Sequence, residues 1–167
     1  TITALCAGLT AIRMGFHGQF KGAVIMILIA CILDGLDGAL ARLLRSESPM
    51  GAELDSLSDA VNFGVAPALV VYSFALQDTT GAGWIAALVY AITCVMRLAR
   101  FNLDSKSETP GPTGNRFVGV PAPAGAFLVL LPLFLSFEMP NSEPMSPILV
   151  GCYMIGVGIL MVSRVPT

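Results

Sequence analysis

The sequence predicts an all-α, polytopic integral membrane protein with six membrane-spanning helices. Three observations predict it. Hydrophobic residues make up 55% of the 167 residues and charged residues only 12%, about half of the ~25% charge usual in soluble domains. The mean hydropathy is +0.79. The apolar residues also fall into long runs, several close to the roughly 20 residues that cross a bilayer, divided by short polar connectors. This composition excludes a disordered chain and an ordinary cytosolic enzyme. A net charge of −2 gives no basic surface for nucleic acid.

The first run, Thr1–Met14, is short for a crossing. With no charged leader or cleavage site it predicts a trimmed N-terminus rather than a signal peptide. The further runs are Gly22–Ala41, Gly51–Leu76, Ala82–Arg97, Val120–Phe137 and Pro147–Val162. Connectors rich in breakers and polar residues fall at 15–21, 42–50, 77–81, 98–119 and 138–146. There is no internal repeat and no soluble domain, so residues 1–167 are expected to form one transmembrane catalytic unit. The cysteines Cys6, Cys31, Cys94 and Cys152 sit singly in apolar runs, without ligand spacing, and predict neither disulfides nor zinc. Pro67, Pro121, Pro123 and Pro132 are expected to begin or bend helices where neighbours satisfy the freed carbonyls. Trp84 is expected to anchor at an interface.

Six spans put both ends on one side. That side gathers Arg42, Arg45, Arg97, Arg100, Lys106, Arg116 and Arg164, against Arg13 and Lys21 on the other. By the positive-inside rule the basic side faces the cytoplasm.

Asp34, Asp37, Asp55 and Asp59 lie within the second and third spans, with Glu53 nearby. A carboxylate at mid-span costs roughly 2.5–3.5 kcal/mol. Asp34, Asp37 and Ala41 share one helical face, as do Gly51, Asp55 and Asp59. The short connector makes the two helices antiparallel neighbours, so both acidic faces can open on one cleft. Converging carboxylates with few basic partners call for hard divalent cations, Mg²⁺, Mn²⁺ or Ca²⁺, and such sites serve two-metal phosphoryl chemistry. Gly35, Gly38 and Gly51 are poor helix formers; they leave room either for a ligand at the backbone or for close helix packing.

Residues 34–59 read DGLDGALARLLRSESPMGAELDSLSD. Asp34, Asp37, Gly38, Ala41, Arg42 and, eight residues on, Gly51, Asp55 and Asp59 reproduce in full the signature D-x-x-D-G-x-x-A-R-x8-G-x-x-x-D-x-x-x-D. The chain therefore resembles the CDP-alcohol phosphotransferase family. The family's Pro-Asn-x-x-Thr element before a first-helix glycine is incomplete here, with Thr1 and Gly8 as its remainder. The resemblance implies that two divalent ions, Mg²⁺ or Mn²⁺, bind Asp34, Asp37, Asp55 and Asp59, with Asp59 also the general base. It implies a cytidine diphosphate site from Thr1, Asp34, Gly38, Ala41, Arg42, Gly51 and Asp55. It also implies a homodimer that releases CMP from a CDP-linked lipid.

Three further stretches resemble the serine-accepting branch: Asp59-Ala-Val-Asn-Phe-Gly-Val-Ala-Pro-Ala, Arg97-Leu-Ala-Arg-Phe-Asn and Phe117-Val-Gly-Val-Pro-Ala-Pro-Ala. The substrates expected are CDP-diacylglycerol and L-serine, in a bacterial inner membrane with the site facing the cytoplasm. Arg97, Arg100 and Arg116 offer forks for a carboxylate or phosphate, or snorkel to headgroups. Asn62 is a candidate contact to the amino acid. The same arginines suit glycerol 3-phosphate, the alternative acceptor. A cation-coupled transporter using the four aspartates is the rival from another class. The almost uncharged fifth and sixth runs oppose it, since a conduit spreads polar groups through the full depth.

Overall fold

A computed structural model describes residues 1–44, 48–79, 81–106, 120–138 and 145–163, without the side chains of Arg42 and residues 104–106. All regular structure among them is helical. The helices are α1 (Ile2–Phe16), α2 (Phe20–Leu43), α3 (Pro49–Leu76), α4 (Ala82–Lys106), α5 (residues 122–138) and α6 (Pro147–Val162). α2, α3 and α4 are long and apolar enough to cross a membrane; α1 and α6 are apolar but shorter.

α1 turns into α2 through Gly18, whose φ of +73° lies in the left-handed region that glycine enters without a Cβ penalty. The two helices pack along their length, and both contribute small buried residues: Ala4, Ala7 and Ala11 from α1, Ala23 and Ala30 from α2. Small residues let membrane helices approach closely where no aqueous hydrophobic drive exists. On its far side α2 exposes Ile25, Ile29, Ile32, Leu36, Leu40 and Leu43, the spacing of an apolar stripe turned to lipid.

Ser48 caps the start of α3, its Oγ accepting from the Gly51 N–H at 3.0 Å, with Pro49 in the first turn. Both choices suit orphan N–H groups at a helix start. α3 is not uniform. It is α-helical over Pro49–Asp59 and Ala66–Val71, with π-helical turns at Ala60–Val65 and Tyr72–Leu76. Its middle is the best-buried segment of the chain, with Phe63, Ala66, Val70 and Val71 at most 1% exposed.

α4 runs to Lys106, nine residues past the expected end at Arg97. No Gly or Pro interrupts residues 97–106, and Leu98 is buried, so Arg100 and Asn102 are helical rather than in a connector. α4 packs along α6. The fifth run is two short helices, Ala122–Val129 and Leu131–Glu138, meeting at Leu130. The break has a local cause: Pro132 has no N–H for the carbonyl of Leu128.

The freed carbonyls do find partners. Tyr153 of α6 donates its hydroxyl to the Leu128 carbonyl at 2.7 Å. Tyr90 of α4 donates likewise to Phe63, four residues before Pro67, at 3.0 Å. Trp84 is 43% exposed and meets Tyr72 edge-on, ring centroids 5.4 Å apart, in keeping with an interfacial position.

Candidate active site

The helix faces expected to be acidic are the faces turned inward. On α2, Asp34, Asp37, Gly38 and Ala41 are partly buried, while Leu36 and Leu40 point away. On α3, Asp55 and Asp59 are partly buried, while Leu57 is exposed. The 3.6-residue period produces both separations. Asp34, Asp55 and Asp59 converge closely enough for their charges to act on one another. Asp37 faces the start of α1, its Oδ2 against the backbone nitrogen of Thr1. Thr1 therefore borders the acidic cleft.

Packing behind these groups is polar as well. Ser58, 1% exposed, directs its Oγ toward the Thr1 carbonyl at 3.5 Å and accepts from Asn62 Nδ2 at 3.1 Å. Asn62 is fully buried, its Oδ1 held against Gly8. A Cβ on Gly8 would stand 2.1 Å from that oxygen, so glycine at this position lets α1 meet α3. The structure puts Asn62 inside a packed interface rather than on an open surface.

α4 supplies the third wall. Tyr90, Cys94 and Arg97 lie at i, i+4 and i+7, one face. Tyr90 holds the Phe63 carbonyl, Cys94 touches Gly64 with 3.3 Å to a Cβ built there, and Arg97 lies beside Asp59. Arg100 does not share that face: it is exposed and donates from Nη1 to the Val162 carbonyl at 3.2 Å, tying α4 to the end of α6. Asn102 Nδ2 donates to Ser56 Oγ at 2.6 Å, joining α4 to α3 one residue beyond Asp55. Gly51 is exposed in the first turn of α3. The Arg42 side chain and Arg116 lie outside the described residues.

The donor set suits a hard cation. Its atoms are carboxylate oxygens, and Asp34 Oδ1 and Asp59 Oδ1 are buried with no hydrogen-bond partner among the described residues. Unpartnered buried oxygens are costly and are the atoms a cation would satisfy. Among the described residues no three carboxylate, thiol or imidazole side chains are yet gathered around one point. Above Gly38 there is room, because a Cβ built there meets nothing within 4 Å. Gly35 is equally open but lies exposed, to the side of the acidic face. Among the described residues, neither glycine brings α2 against another helix.

Sequence reasoning missed Tyr90 and Ser58 as parts of the candidate site; Gly8 entered it only through the family resemblance. Pro67 was the available signal for Tyr90, since it requires a donor for the carbonyl of Phe63 without saying which helix provides it.

These features define a polytopic helical membrane protein with an acidic, oxygen-donor site between its second, third and fourth helices. Residues 1–163 match the profile of the CDP-alcohol phosphatidyltransferase family. The chain belongs to that family. It is 48% identical over 168 residues to a CDP-diacylglycerol--serine O-phosphatidyltransferase of Mycobacterium leprae, covering 99% of this chain and 55% of that protein. To the protein of the same name in Mycobacterium tuberculosis (strain ATCC 25618 / H37Rv) it is 45% identical, covering 99% and 58%. To that of Bacillus subtilis it is 38% identical, covering 99% and 85%. The chain thus spans little more than half the length of the mycobacterial relatives.

Proposed function

We propose that this chain is the catalytic core of an enzyme that transfers the phosphatidyl group of CDP-diacylglycerol to L-serine, giving phosphatidylserine and CMP. The observation that carries the reading is the set of part-buried carboxylates on the inward faces of α2 and α3, with Asp34 Oδ1 and Asp59 Oδ1 buried and unpartnered among the described residues, within a complete family signature. Relatives named for this reaction, 38–48% identical across nearly the whole chain, support serine as the acceptor.

In this reading Asp34, Asp37, Asp55 and Asp59 hold two divalent ions, Mg²⁺ or Mn²⁺. When bound, the ions supply charge neutralisation at the diphosphate. The residues of the chain do the rest. The open face at Gly38 and Ala41, with Thr1, Arg42 and Gly51 around it, takes the cytidine diphosphate. Asp59 accepts the proton of the serine hydroxyl as that oxygen bonds to the phosphatidyl phosphorus. The bond from that phosphorus to the CMP oxygen breaks, and CMP leaves. Arg97, beside Asp59, is placed to hold a carboxylate or phosphate, with Arg100 and Arg116 as further candidates. Asn62 acts from behind the site.

The donor's acyl chains enter from the bilayer and serine from the cytoplasm, the side where the basic residues collect. A bacterial inner membrane and a homodimer complete the proposal.

The test is product analysis with the full-length protein in liposomes. CDP-diacylglycerol and Mn²⁺ or Mg²⁺ are supplied with serine, glycerol 3-phosphate or inositol in separate reactions, with Asp59→Asn and a chelator as controls. Phosphatidylserine and CMP with serine alone, lost in both controls, are expected. Turnover with glycerol 3-phosphate alone would replace the acceptor, and no CMP from folded protein would refute the enzyme class.

A further inference from the structure

We infer that Tyr90 is a positioning residue for Asp59: its hydroxyl, by holding the Phe63 carbonyl, fixes the π-turn that sets the direction in which Asp59 faces Asp34. For its assay the inference rests on the phosphatidyl-transfer reading above.

The argument starts from the backbone. The π-turn Ala60–Val65 follows Asp59 directly. A π-turn inserts a residue into the helical repeat, and one residue corresponds to about 100° of rotation. The turn therefore decides where Asp55 and Asp59 point relative to the lower part of α3, which Val70 and Val71 anchor at 0% exposure. Isolated π-turns are marginal by geometry and persist where the surroundings hold them.

Two features hold this one. Pro67 withholds an N–H from the Phe63 carbonyl, blocking the α-helical bond that would compete with the π register. Tyr90, itself 0% exposed, gives that carbonyl its hydroxyl instead, at 3.0 Å. The next residues of the same α4 face, Cys94 against Gly64 and Arg97 beside Asp59, continue the template along α3. Nothing in this arrangement requires Tyr90 to touch substrate.

The structure contains its own control. Tyr153 makes the same bond to the carbonyl freed by Pro132, at 2.7 Å, in helices that carry none of the four aspartates. Tyr90→Phe and Tyr153→Phe remove identical groups from equivalent bonds, one adjoining the site and one remote from it.

The experiment uses the full-length protein in liposomes and compares wild type, Tyr90→Phe, Tyr153→Phe, Pro67→Ala and the double variant Tyr90→Phe/Pro67→Ala. Three quantities are read: CMP release, the Mn²⁺ concentration that half-saturates the rise in melting temperature, and the melting temperature itself. Tyr90→Phe is expected to lower kcat about tenfold and to raise the half-saturating Mn²⁺ concentration several-fold, with KM for serine within twofold. Tyr153→Phe is expected to melt lower by a similar amount and keep wild-type kcat and Mn²⁺ response. Pro67→Ala restores the N–H of the competing α-helical bond, so the double variant should regain melting temperature by pairing the carbonyl while kcat and the Mn²⁺ response stay impaired. Should Tyr90→Phe fail to fold, the double variant carries the test: folded protein with impaired kcat and Mn²⁺ response supports the inference.

Equal effects of the two tyrosine variants on kcat and Mn²⁺ response would overturn the inference. So would a double variant that regains wild-type kcat and Mn²⁺ response. Absence of CMP release by folded wild-type protein with any acceptor would instead reject the phosphatidyl-transfer reading, leaving the Mn²⁺ titration to decide the role of Tyr90.

Discussion

Gly38→Ala separates a glycine kept for a ligand from a glycine kept for packing, because the two predict opposite signs for stability. A Cβ at Gly38 meets nothing within 4 Å, so the substitution carries no steric cost in the unliganded protein. Alanine is favoured over glycine inside a helix by ~1 kcal/mol, and α2 is helical on both sides of this residue. The unliganded variant is therefore expected to melt higher, by about 2–4 °C if that gain is realised in full. The same methyl group stands on the partly buried face shared with Asp34 and Asp37, where the nucleotide diphosphate is proposed to lie against the backbone. A displacement of about 1 Å in reacting groups can cost on the order of 10²-fold in rate, so kcat/KM for CDP-diacylglycerol should fall ~10–100-fold. Gly35→Ala is the internal control, giving the stability gain without the loss of turnover. The assay pairs thermal melting in liposomes with initial rates of CMP release. A Gly38→Ala protein that melts lower than wild type, or that turns over normally, would refute the reasoning.

The other predictions concern the carboxylates and the α1–α3 contact. Asp34→Asn and Asp59→Asn should each abolish CMP release, while raising the melting temperature in chelator because a part-buried ionisable carboxyl beside another is replaced by a neutral amide; Mn²⁺ should then add less stability than it does to wild type. Gly8→Ala places a Cβ 2.1 Å from Asn62 Oδ1 in a buried interface and should destabilise by ~1–3 kcal/mol, read as a lower melting temperature. Restoring space with Gly8→Ala/Asn62→Ala should recover part of that loss. Chelation of wild-type protein should stop turnover reversibly, with activity returning on addition of Mn²⁺ or Mg²⁺.

What the sequence disclosed about this fold depends on the range of the interaction involved. The face shared by Asp34, Asp37 and Ala41 and that shared by Asp55 and Asp59 follow from periodicity within single helices, and both turn inward as expected. The antiparallel approach of α2 and α3 follows from a short connector. Features that depend on which helix meets which were not legible. Asn62 looks available in the sequence and is fully buried against α1. Arg97 and Arg100 look equivalent, yet one lies beside Asp59 and the other reaches the end of α6. The interruption at Pro132 was legible, but not that Tyr153 of α6 would partner the freed carbonyl. The expected runs Thr1–Met14 and Pro147–Val162 match α1 and α6 in extent, and their 15 and 16 residues fall short of the roughly 20 that cross a bilayer.

The two tyrosine–carbonyl bonds explain how a membrane helix can carry irregular backbone beside a charged site. In hydrocarbon, an unpaired carbonyl costs several kcal/mol and water is not available to relieve it. A proline inside a span is tolerated where a side chain, a local adjustment of the helix or a neighbouring helix re-satisfies the carbonyl, and a donor from another helix also joins the two helices at a fixed height. Tyr90 joins α4 to α3 four residues beyond Asp59, and Tyr153 joins α6 to α5. Pro67 thus converts a local defect into a specified contact, because α3 satisfies its own backbone only when α4 stands where Arg97 is beside Asp59. The same contact keeps α3 from returning to the uniform α-helix that its apolar composition would otherwise favour. On this argument the irregularity of α3 is the feature that fixes the acidic face, and removing both partners of the bond should loosen the site before it unfolds the protein.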